Sequence, residues 1–571
     1  METTTIKEKT KTLTGAEAVV KCLLEENVNL LFGYPGGAIM PVYDALYGYE
    51  KQLRHVLVRH EQGAIHAAQG YARATGKVGV CIATSGPGAT NLITGLADAM
   101  ADSTPVVCIT GQVHSHLLGS DAFQETDMIG LSTTVTKWNT QAVRAEDIPA
   151  ALAKAFYIAR TGRPGPVLID ITKDAQFGKA EFRYEKCKGL RSYVPYPKVD
   201  MEKVRQAATL INKAKRPFLL FGQGVVLGGA EKELKSFLEK TGMPAAGTLL
   251  GLSALPTDHP QHAGMLGMHG NYAPNLLTNY CDVLIAVGMR FDDRVTSDVN
   301  RYAKQAKIIH LDVDASEINK VVKCDLPLPG DCKETLHLLR LAANSNDHSA
   351  WVDEFKKLRS VEYEAVIEKE FFPENSALSM GEALRLLNET KSPDTILVTD
   401  VGQHQMIASR YFKFETCRSQ ITSGGLGTMG FALPAALGAK MGAPERDVVA
   451  VIGDGGFQMT IQELATIAQE KTNVKILLLN NNFLGMVRQW QELFFDKRYS
   501  HTEMQNPDFQ TLAKGFGIAS KKVTERKELK GAMQEMMSSP SAYLLEVVVE
   551  KEENVFPMIP AGAAVDEVRL C

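Results

Sequence analysis

Few features of this 571-residue sequence indicate a membrane-bound or nucleic-acid-binding protein. No apolar run approaches the roughly 18 residues that a membrane-spanning helix needs. The formal net charge is −4 and no long basic run is present, which argues against nucleic acid or an anionic membrane as a partner. The nine cysteines are scattered without a CxxC pair, so we interpret them as buried free thiols in a reducing compartment.

The composition is close to that of an average globular protein, with 45% apolar and 22% charged residues. The first residues, METTTIKEKTKTLTG, lack the apolar core of a secretion signal. Their acidic residues and short length are untypical of a transit peptide. We therefore predict a cytoplasmic protein.

The length is too great for a single core and suggests three or four domains. Buried strand patterns such as VGVCIAT, PFLLFGQG and TILVTDVG alternate with amphipathic helical patterns. Continuous apolar strands are typical of parallel sheets covered on both faces, so we predict an α/β protein of three doubly wound domains. The domains are expected at residues 12–182, 197–343 and 380–571, separated by a charged stretch (179–196) and a polar segment (344–379). The first and third are alike in layout without a strict sequence repeat.

The most informative segment is VVAVIGDGGFQMTIQELATIAQEKTNVKILLLNNN. It predicts a buried strand that ends in a Gly-rich turn (453–456), a helix over about 460–470, and a second buried strand that ends in three asparagines (480–482). Parallel strands joined by a right-handed crossover lie side by side, so Asp454 and Asn481 are expected at the same sheet edge. Glycines let a phosphate approach the backbone, and carboxylate, amide and diphosphate oxygens suit Mg²⁺. We predict a metal–diphosphate site here, although short Gly and Asn turns are often only turns.

A GDG turn followed by NN after the next strand resembles the signature of thiamine diphosphate enzymes. Most of the chain resembles the catalytic large subunit of the acetohydroxyacid synthase (acetolactate synthase) family. The matching motifs are GYPGGAIMPVYDAL, RHEQGAIHAAQGYARATGKVGVCIATSGPGATNL, GSDAFQETD, GRPGPVLIDITKD, GMLGMHG, GMRFDDRV, TDVGQHQM, TSGGLGTMGFALPAA and LGMVRQWQELFF. They occur in this order over nearly the whole length.

The resemblance implies a thiamine-diphosphate-dependent carboligase that condenses decarboxylated pyruvate with a second pyruvate or with 2-ketobutyrate. The products would be 2-acetolactate or 2-aceto-2-hydroxybutyrate plus CO₂, in the first common step of valine, leucine and isoleucine biosynthesis. The implied cofactors are thiamine diphosphate, Mg²⁺ and FAD, the flavin being structural because the net reaction is not a redox one. The implied domains are pyrimidine-binding, FAD-contacting and diphosphate-binding, in that order. The implied partners are further copies of the chain, as a homodimer or homotetramer with active sites at the subunit interface, and a small regulatory subunit.

Glu61, in the motif RHEQG, matches the family's catalytic glutamate, which holds the aminopyrimidine ring of the cofactor. The pattern predicts that Glu61 ends a strand over 55–59 and precedes a helix. From position alone, the simpler explanation is a helix-start glutamate that complements the helix dipole. Only the other motifs favour the catalytic role. Gly37 and Gln124 are the other catalytic matches.

The resemblance distributes the thiamine diphosphate site over the first and third domains. The matched residues are Pro35, Glu61, Pro87, Asn91, Val401, Gly402, Gln403, His404, Gly427, Met429, Gly453, Asp454, Gly455, Gly456, Asn481, Phe483, Gly485 and Met486. Among them, Asp454, Asn481 and Phe483 match the metal ligands. Met429 matches the bulky residue over which the cofactor bends, although a Met in a Gly-rich turn is usually core filling.

The FAD match centres on the RFDDR motif of the middle domain. The matched residues are Arg163, Gly222, Gly224, Met268, His269, Gly288, Arg290, Asp292, Arg294, Asp312, Val313 and Asp331. Asp312 and Asp314 close a predicted strand, where an acid can reach an adenosine ribose as in dinucleotide folds. Two acids at a strand end are equally explained by a solvated turn, and the residues alone leave both explanations open.

The matched substrate residues are Phe123, Lys173, Arg294, Met486 and Trp490. An arginine fork binds a carboxylate bidentately, so Arg294 is expected to hold the acceptor 2-ketoacid. The apolar face of Trp490 would favour the extra methyl of 2-ketobutyrate, a preference worth about 1–3 kcal/mol. The alternative is a tryptophan that anchors an amphipathic helix.

Other functions of this superfamily are less well supported by the residues. Simple 2-ketoacid decarboxylases carry an adjacent His-His pair, and no two histidines are adjacent in this chain. A thiamine- and FAD-dependent pyruvate oxidase has the same architecture, but RFDDR and Trp490 speak against it. A non-catalytic regulatory relative is expected to lack Glu61, Asp454 or Asn481, and all three are present.

Overall fold

The computed structural model describes residues 11–571, so most of the segment examined for a targeting signal lies outside the described residues. The chain divides into two units, Met1–Val194 and Pro195–Cys571. Within the described range, no helix is both long enough and apolar enough to span a membrane.

The described part of the first unit contains eight strands, six of which form one parallel sheet. Its strands are β1 (Thr12–Thr14), β2 (Leu30–Gly33), β3 (Arg54–Leu57), β4 (Gly79–Ala83), β5 (Val106–Gln112), β6 (Trp138–Ala142), β7 (Val167–Thr172) and β8 (Lys179–Glu181). Its helices are α1 (Gly15–Glu25), α2 (Met40–Leu46), α3 (Glu61–Thr75), α4 (Pro87–Thr90), α5 (Ile93–Ala101), α6 (Met128–Ser132), α7 (Ile148–Arg160) and α8 (Lys173–Phe177). The sheet order is β3-β2-β4-β5-β7-β6, and β1 pairs with β8 as a separate antiparallel ribbon.

The second unit begins with another six-stranded parallel sheet. Its strands are β9 (Pro217–Phe221), β10 (Ala245–Gly247), β11 (His262–Met265), β12 (Val283–Val287), β13 (Lys307–Asp312) and β14 (Leu326–Pro329), in the order β11-β10-β9-β12-β13-β14. The accompanying helices are α9 (Met201–Lys213), α10 (Gln223–Leu227), α11 (Glu231–Thr241), α12 (Tyr272–Thr278), α13 (Asp293–Thr296), α14 (Cys332–Ala342), α15 (Ser349–Glu362) and α16 (Glu368–Phe371). Counted along the chain this order is 3-2-1-4-5-6, which is the order of dinucleotide-binding folds.

A third six-stranded parallel sheet completes the second unit. Its strands are β15 (Ile396–Thr399), β16 (Gln420–Thr422), β17 (Val448–Gly453), β18 (Lys475–Asn480), β19 (Ala519–Val523) and β20 (Tyr543–Val548), in the order β16-β15-β17-β18-β20-β19. The helices are α17 (Met380–Thr390), α18 (Gln403–Tyr411), α19 (Ala432–Gly442), α20 (Asp454–Met459), α21 (Glu463–Gln469), α22 (Gly485–Phe494), α23 (Phe509–Gly515) and α24 (Arg526–Ser538). Counted along the chain, the first and third sheets share the order 2-1-3-4-6-5.

Both faces of the sheets are covered, which explains the continuous apolar strands. In β9, Leu219 and Phe221 belong to one hydrophobic core, and Phe218 and Leu220 belong to another. Successive side chains of a strand point to opposite faces, so each face of this sheet has its own core. The predicted class, three doubly wound α/β layers, is confirmed.

Several predicted boundaries are wrong in detail. The helix expected over 460–470 begins at Asp454 and is broken into α20 and α21, because the Gly-rich turn itself forms the first helical turn. Glu61 does not end a strand: β3 ends at Leu57, and Glu61 is the first residue of α3. The side chain of His60 caps this helix by accepting a hydrogen bond from the Gln62 N–H at 3.2 Å.

The polar segment expected to separate the domains over 344–379 is largely helical. It contains α15, a π-helical turn (Tyr363–Ile367) and α16. Trp351 and Phe355 of α15 enter the core beneath the middle sheet, where Phe355 lies 5.0 Å from Phe218 between ring centroids. A few apolar anchors therefore attach this polar helix to the middle sheet.

Candidate active site

The third sheet has a crevice where its strand order reverses. In doubly wound sheets, ligands bind outside the carboxyl ends of the strands at such a point. The reversal falls between β15 and β17, which are paired neighbours. Residues 401–404 follow β15 and residues 453–456 lie at the end of β17, and both groups line one pocket. Because β18 pairs with β17 on its other side, Asn481 emerges beside Asp454 as expected.

Most of the predicted cofactor residues of this domain line the pocket. They are Val401, Gly402, Gln403, His404, Met429, Gly453, Asp454, Gly455, Gly456, Asn481, Phe483, Gly485 and Met486. Gly427 lies beside it, since a Cβ there would be 4.0 Å from the Val401 side chain. Met380, Leu479, Leu484 and Val487 also line the pocket and were not predicted.

The glycines of this pocket leave no room for a side chain. A Cβ at Gly456 would lie 2.0 Å from a carboxylate oxygen of Asp400, and one at Gly485 would lie 2.2 Å from the Gln403 Oε1. Both distances are below the 3.0 Å that real Cβ atoms keep. The turns therefore present backbone groups to the pocket, as phosphate-binding turns do.

Asp454 and Asn481 supply oxygen donors at this edge. Asp454 is only 1% exposed, and burial raises the pKa of its carboxyl, although a hydrogen bond from Asn506 partly opposes this shift. Asn481 donates through Nδ2 to the Gln403 Oε1 at 3.4 Å, and its Oδ1 accepts from the Phe483 N–H at 3.1 Å. A buried carboxylate beside an amide oxygen is a donor set that suits a hard cation such as Mg²⁺.

The carbonyl of Phe483 is directed by a short backbone ribbon. Residues 482–484 pair antiparallel with residues 502–504, through hydrogen bonds of 2.8 Å on both sides of Phe483. In such a pairing, the residue between the bonds turns its own N–H and C=O away from the opposite strand. The N–H of Phe483 accordingly reaches Asn481. Its carbonyl lies on that same edge, where it can complete an all-oxygen donor set.

Asp400 is a residue of this site that the sequence reasoning missed. It is fully buried, and its Oδ1 accepts from the His404 Nε2 at 2.6 Å. Its Oδ2 accepts from the Gly430 N–H at 3.0 Å. The same oxygen packs so closely on Gly456 that a Cβ there would lie 2.0 Å from it. One carboxylate thus ties three turns of the pocket together. The available signal was an acid directly after a strand, Ile396–Thr399, that is apolar except for its last residue.

Trp490, predicted to set specificity, does not line the pocket. It lies one helical turn beyond Met486 on α22, on the same helix face, and its ring is 5.2 Å from that of Phe494. Met486 reaches the pocket and packs against the core of the third sheet. The specificity role of Trp490 stays a prediction.

The first sheet has the equivalent crevice between β2 and β4. The turn after β2 contains Pro35 and Gly36, and a Cβ at Gly36 would lie 2.5 Å from the Thr84 side chain that follows β4. The Thr84 Oγ1 accepts from the Ala38 N–H at 3.2 Å, which joins the two turns. Gly37 has open space around it.

Glu61 lies at this crevice with two other predicted residues. It is 9% exposed, and its Oε2 accepts from the Asn91 Nδ2 at 2.9 Å. Pro87 is the first residue of α4, and a Cβ on the next residue, Gly88, would lie 3.1 Å from the Glu61 Oε1. Glu61, Pro87 and Asn91 are thus brought together, while the helix start at Glu61 fits both explanations of that residue.

The other residues of the first unit that were predicted to bind substrate or to act in catalysis do not all lie at this crevice. Gln124 lies against the turn before α4, since a Cβ at Gly86 would be 2.9 Å from its carbonyl oxygen. Phe123 beside it is 88% exposed. Lys173 begins α8 after β7, which is separated from β4 by β5. The structure therefore places Gln124 at the crevice and Lys173 two strands away.

The middle sheet reverses its order between β9 and β12. Gly222 and Gly224 follow β9, and Gly288 follows β12. The Gly224 N–H donates to the Gly288 carbonyl at 3.0 Å, and a Cβ at Gly222 would lie 2.3 Å from that oxygen. Three predicted flavin glycines thus form one pair of interlocked turns at the position where dinucleotides bind.

The acids predicted for the ribose lie elsewhere than the dinucleotide argument places them. In those folds the ribose acid follows the second strand, but here that strand, β10, ends at Gly247 and Asp312 ends the fifth, β13. Asp312 accepts from the Asp314 N–H at 2.9 Å, and Asp331 caps α14. The flavin role of Asp312 therefore rests on the resemblance and stays a prediction.

Met268, His269 and Arg294 form a group beside the middle sheet. The Met268 N–H donates to the Arg294 carbonyl at 2.8 Å, and the Arg294 guanidinium is 62% exposed. His269 is buried, and burial lowers the pKa of its imidazole to about 3. Within the described chain, its Nδ1 has no hydrogen-bond partner. A buried ring nitrogen of this kind is a group that a bound ligand would satisfy.

The other predicted flavin residues are spread more widely. Arg290 is exposed after β12, Asp292 caps α13, and Val313 follows β13. Burial raises the pKa of the Asp292 carboxyl. Arg163 belongs to the first unit, where its Nε donates to the Ser103 Oγ at 2.8 Å.

Comparison with known proteins supports a single family for the whole chain. Three family models match in succession: thiamine pyrophosphate enzyme N-terminal TPP binding domain over residues 13–131, central domain over 204–339 and C-terminal TPP binding domain over 400–547. The chain is 47% identical to the acetolactate synthase large subunit of Corynebacterium glutamicum, over 98% of this chain and 90% of that protein. It is 46% identical to the acetolactate synthase isozyme 2 large subunit of Escherichia coli, over 97% of this chain and 99% of that protein. It is 43% identical to the acetolactate synthase large subunit of Lactococcus lactis, over 98% of this chain and 96% of that protein.

Proposed function

Since the chain belongs to the acetolactate synthase large subunits of the thiamine pyrophosphate enzyme family, we propose that its pocket serves the condensation of pyruvate with a second 2-ketoacid. This is the first common step of branched-chain amino acid synthesis. The observation that carries the proposal is the glycine-lined crevice of the third sheet, with buried Asp454 beside Asn481. Its position at a strand-order reversal is that of a ligand site.

The residues of the crevice fit a diphosphate and a divalent cation. Bound thiamine diphosphate supplies the carbanion-stabilising chemistry that the loss of CO₂ from a 2-ketoacid requires. The glycine turns hold the diphosphate, and Asp454, Asn481 and the Phe483 carbonyl hold Mg²⁺. Met429 and Met486 form the apolar wall that orients the rings and excludes water. Glu61 holds a proton at the aminopyrimidine nitrogen.

The middle sheet is proposed to hold FAD. The support is its dinucleotide-type strand order, the interlocked glycine turns and the unpartnered Nδ1 of His269. Arg294 has an exposed guanidinium that suits the carboxylate of the acceptor 2-ketoacid.

Replacing His269 with Leu tests the flavin proposal. We expect flavin affinity to fall by about 5–10-fold, because a hydrogen bond to a buried partner is lost. The flavin-free protein should unfold at nearly the same temperature, since the variant removes an unsatisfied buried nitrogen but also loses the hydrogen bond to the Pro557 backbone. Flavin absorbance titration and thermal unfolding measure both effects, with His337→Leu on the exposed face of α14 as the control. Unchanged flavin affinity in the His269 variant would contradict the assignment.

Partners are proposed from the relatives and from the surface. The relatives are named large subunits, so we propose a small regulatory subunit as a partner. Phe123 and Tyr47 are 88% and 80% exposed, so a second copy of the chain that covered them would remove two aromatic side chains from water. A homodimer or homotetramer with active sites at the subunit interface and a cytoplasmic location stay predictions.

The first test is acetolactate formation from pyruvate by the purified protein. Thiamine diphosphate, Mg²⁺ and FAD are omitted in turn while oxygen uptake is followed. We expect acetolactate to require all three, with no matching oxygen consumption. Oxygen uptake with acetate or acetyl phosphate and no acetolactate would make the protein a pyruvate oxidase. Supply of 2-ketobutyrate together with pyruvate then measures the preference ascribed to Trp490.

A further inference from the structure

A residue far along the chain contacts the turn that carries the oxygen donors. The side-chain nitrogen of Asn506 lies 2.6 Å from the Asp454 Oδ2, 2.9 Å from the Asn480 Oδ1 and 3.1 Å from the Asn482 Oδ1. Its own Oδ1 accepts from the Gln458 Nε2 at 2.9 Å. That bond sets which end of the amide faces the three oxygens. A single side chain therefore bridges the ends of β17 and β18.

These contacts restrict the donors in two ways. A carboxylate held at Oδ2 has a fixed rotation, so the direction of the Asp454 Oδ1 is also fixed. Holding the side chains of Asn480 and Asn482 immobilises the backbone on both sides of Asn481. The ribbon of residues 502–504 brings Asn506 to this place and packs on the Phe483 segment.

We propose that Asn506 is a positioning residue for the cation site formed by Asp454, Asn481 and the Phe483 carbonyl. The inference rests on the proposed function, because the cation belongs to the diphosphate site described above. Asn506 acts through Asp454 and through the asparagine turn. Outer partners that orient metal ligands characteristically change metal affinity by about 10–100-fold when they are removed.

The test is the Mg²⁺ affinity of Asn506→Ala in the full chain. We expect the apparent dissociation constant for Mg²⁺, measured by tryptophan fluorescence in the presence of thiamine diphosphate, to rise about 10–100-fold. Binding of Mn²⁺ followed by electron paramagnetic resonance should weaken by the same factor. Saturating Mg²⁺ should restore most of kcat, because the donors themselves are retained. Gln505→Ala, a change of the exposed neighbouring side chain, should leave both affinities unchanged.

The outcomes distinguish the positioning role of Asn506 from the existence of the cation site. If the wild-type protein binds thiamine diphosphate without any need for Mg²⁺, the proposed cation site fails and this inference fails with it. If the wild type needs Mg²⁺ but Asn506→Ala keeps its affinity within twofold, only the positioning role is overturned. Should the alanine variant not fold, Asn506→Ser is measured in its place. If neither variant folds, Asn506 is a folding residue and the proposal is wrong.

Discussion

Replacing Glu61 with Gln should lower kcat for acetolactate formation by about 10²–10⁴-fold, the range that a positioned acid or base contributes. The amide keeps the size of the side chain, so Asn91 and Gly88 can still pack against it. It cannot hold a proton at the cofactor nitrogen as a carboxyl group does. Affinity for thiamine diphosphate should therefore change much less than kcat, and calorimetric titration beside steady-state kinetics measures the difference.

The matched control is Glu17→Gln. Glu17 also stands in the first turn of a helix, where it forms a capping box with Thr14. If Glu61 only complements its helix dipole, both variants should lose about 0.3–1 kcal/mol of stability and keep their activity. Activity retained in the Glu61 variant would thus leave the dipole explanation as the correct one.

Local patterns were sufficient to predict the class of the fold. Wholly apolar strands such as β4 and β17 are apolar because both of their faces are buried, and this is visible residue by residue. The side-by-side position of Asp454 and Asn481 follows from a single strand–helix–strand unit. The order of the other strands depends on which side each crossover turns to. Neither the shared order of the first and third sheets nor the dinucleotide order of the middle one was visible in the sequence.

The sequence did not predict the role of Asn506 or the start of α20, because both depend on contacts between distant parts of the chain. Asn506 contacts partners that lie 52, 26 and 24 positions away, and the loop that carries it has no periodicity of its own. The start of α20 was placed too late because glycine disfavours helices by about 1 kcal/mol, whereas here two glycines form the first turn. A Cβ at Gly456 would lie 2.0 Å from a carboxylate oxygen of Asp400, so the close packing of this turn requires glycine in spite of that local preference.

Replacing Asp454 with Asn should abolish Mg²⁺-dependent binding of thiamine diphosphate, with an effect larger than the roughly 100-fold that the loss of an outer partner costs. The apo variant should be as stable as the wild type or more stable. Burial raises the pKa of this carboxyl, which means that the charged form is disfavoured in the absence of a cation. The variant removes that charge while it keeps an oxygen for Asn506.

Thermal unfolding with and without ligand separates the loss of ligand binding from the change in stability of the apo protein. Ligand at 100 times its dissociation constant stabilises the wild-type fold by about 2.7 kcal/mol, so the wild type should unfold at a higher temperature with Mg²⁺ and thiamine diphosphate. The Asp454→Asn variant should show no such increase. Asp508→Asn, which exchanges one good helix cap for another at the start of α23, should respond as the wild type does. If the ligands raise the unfolding temperature of the Asp454 variant as much as that of the wild type, the cation binds elsewhere. The buried carboxylate at this sheet edge would then serve only the fold.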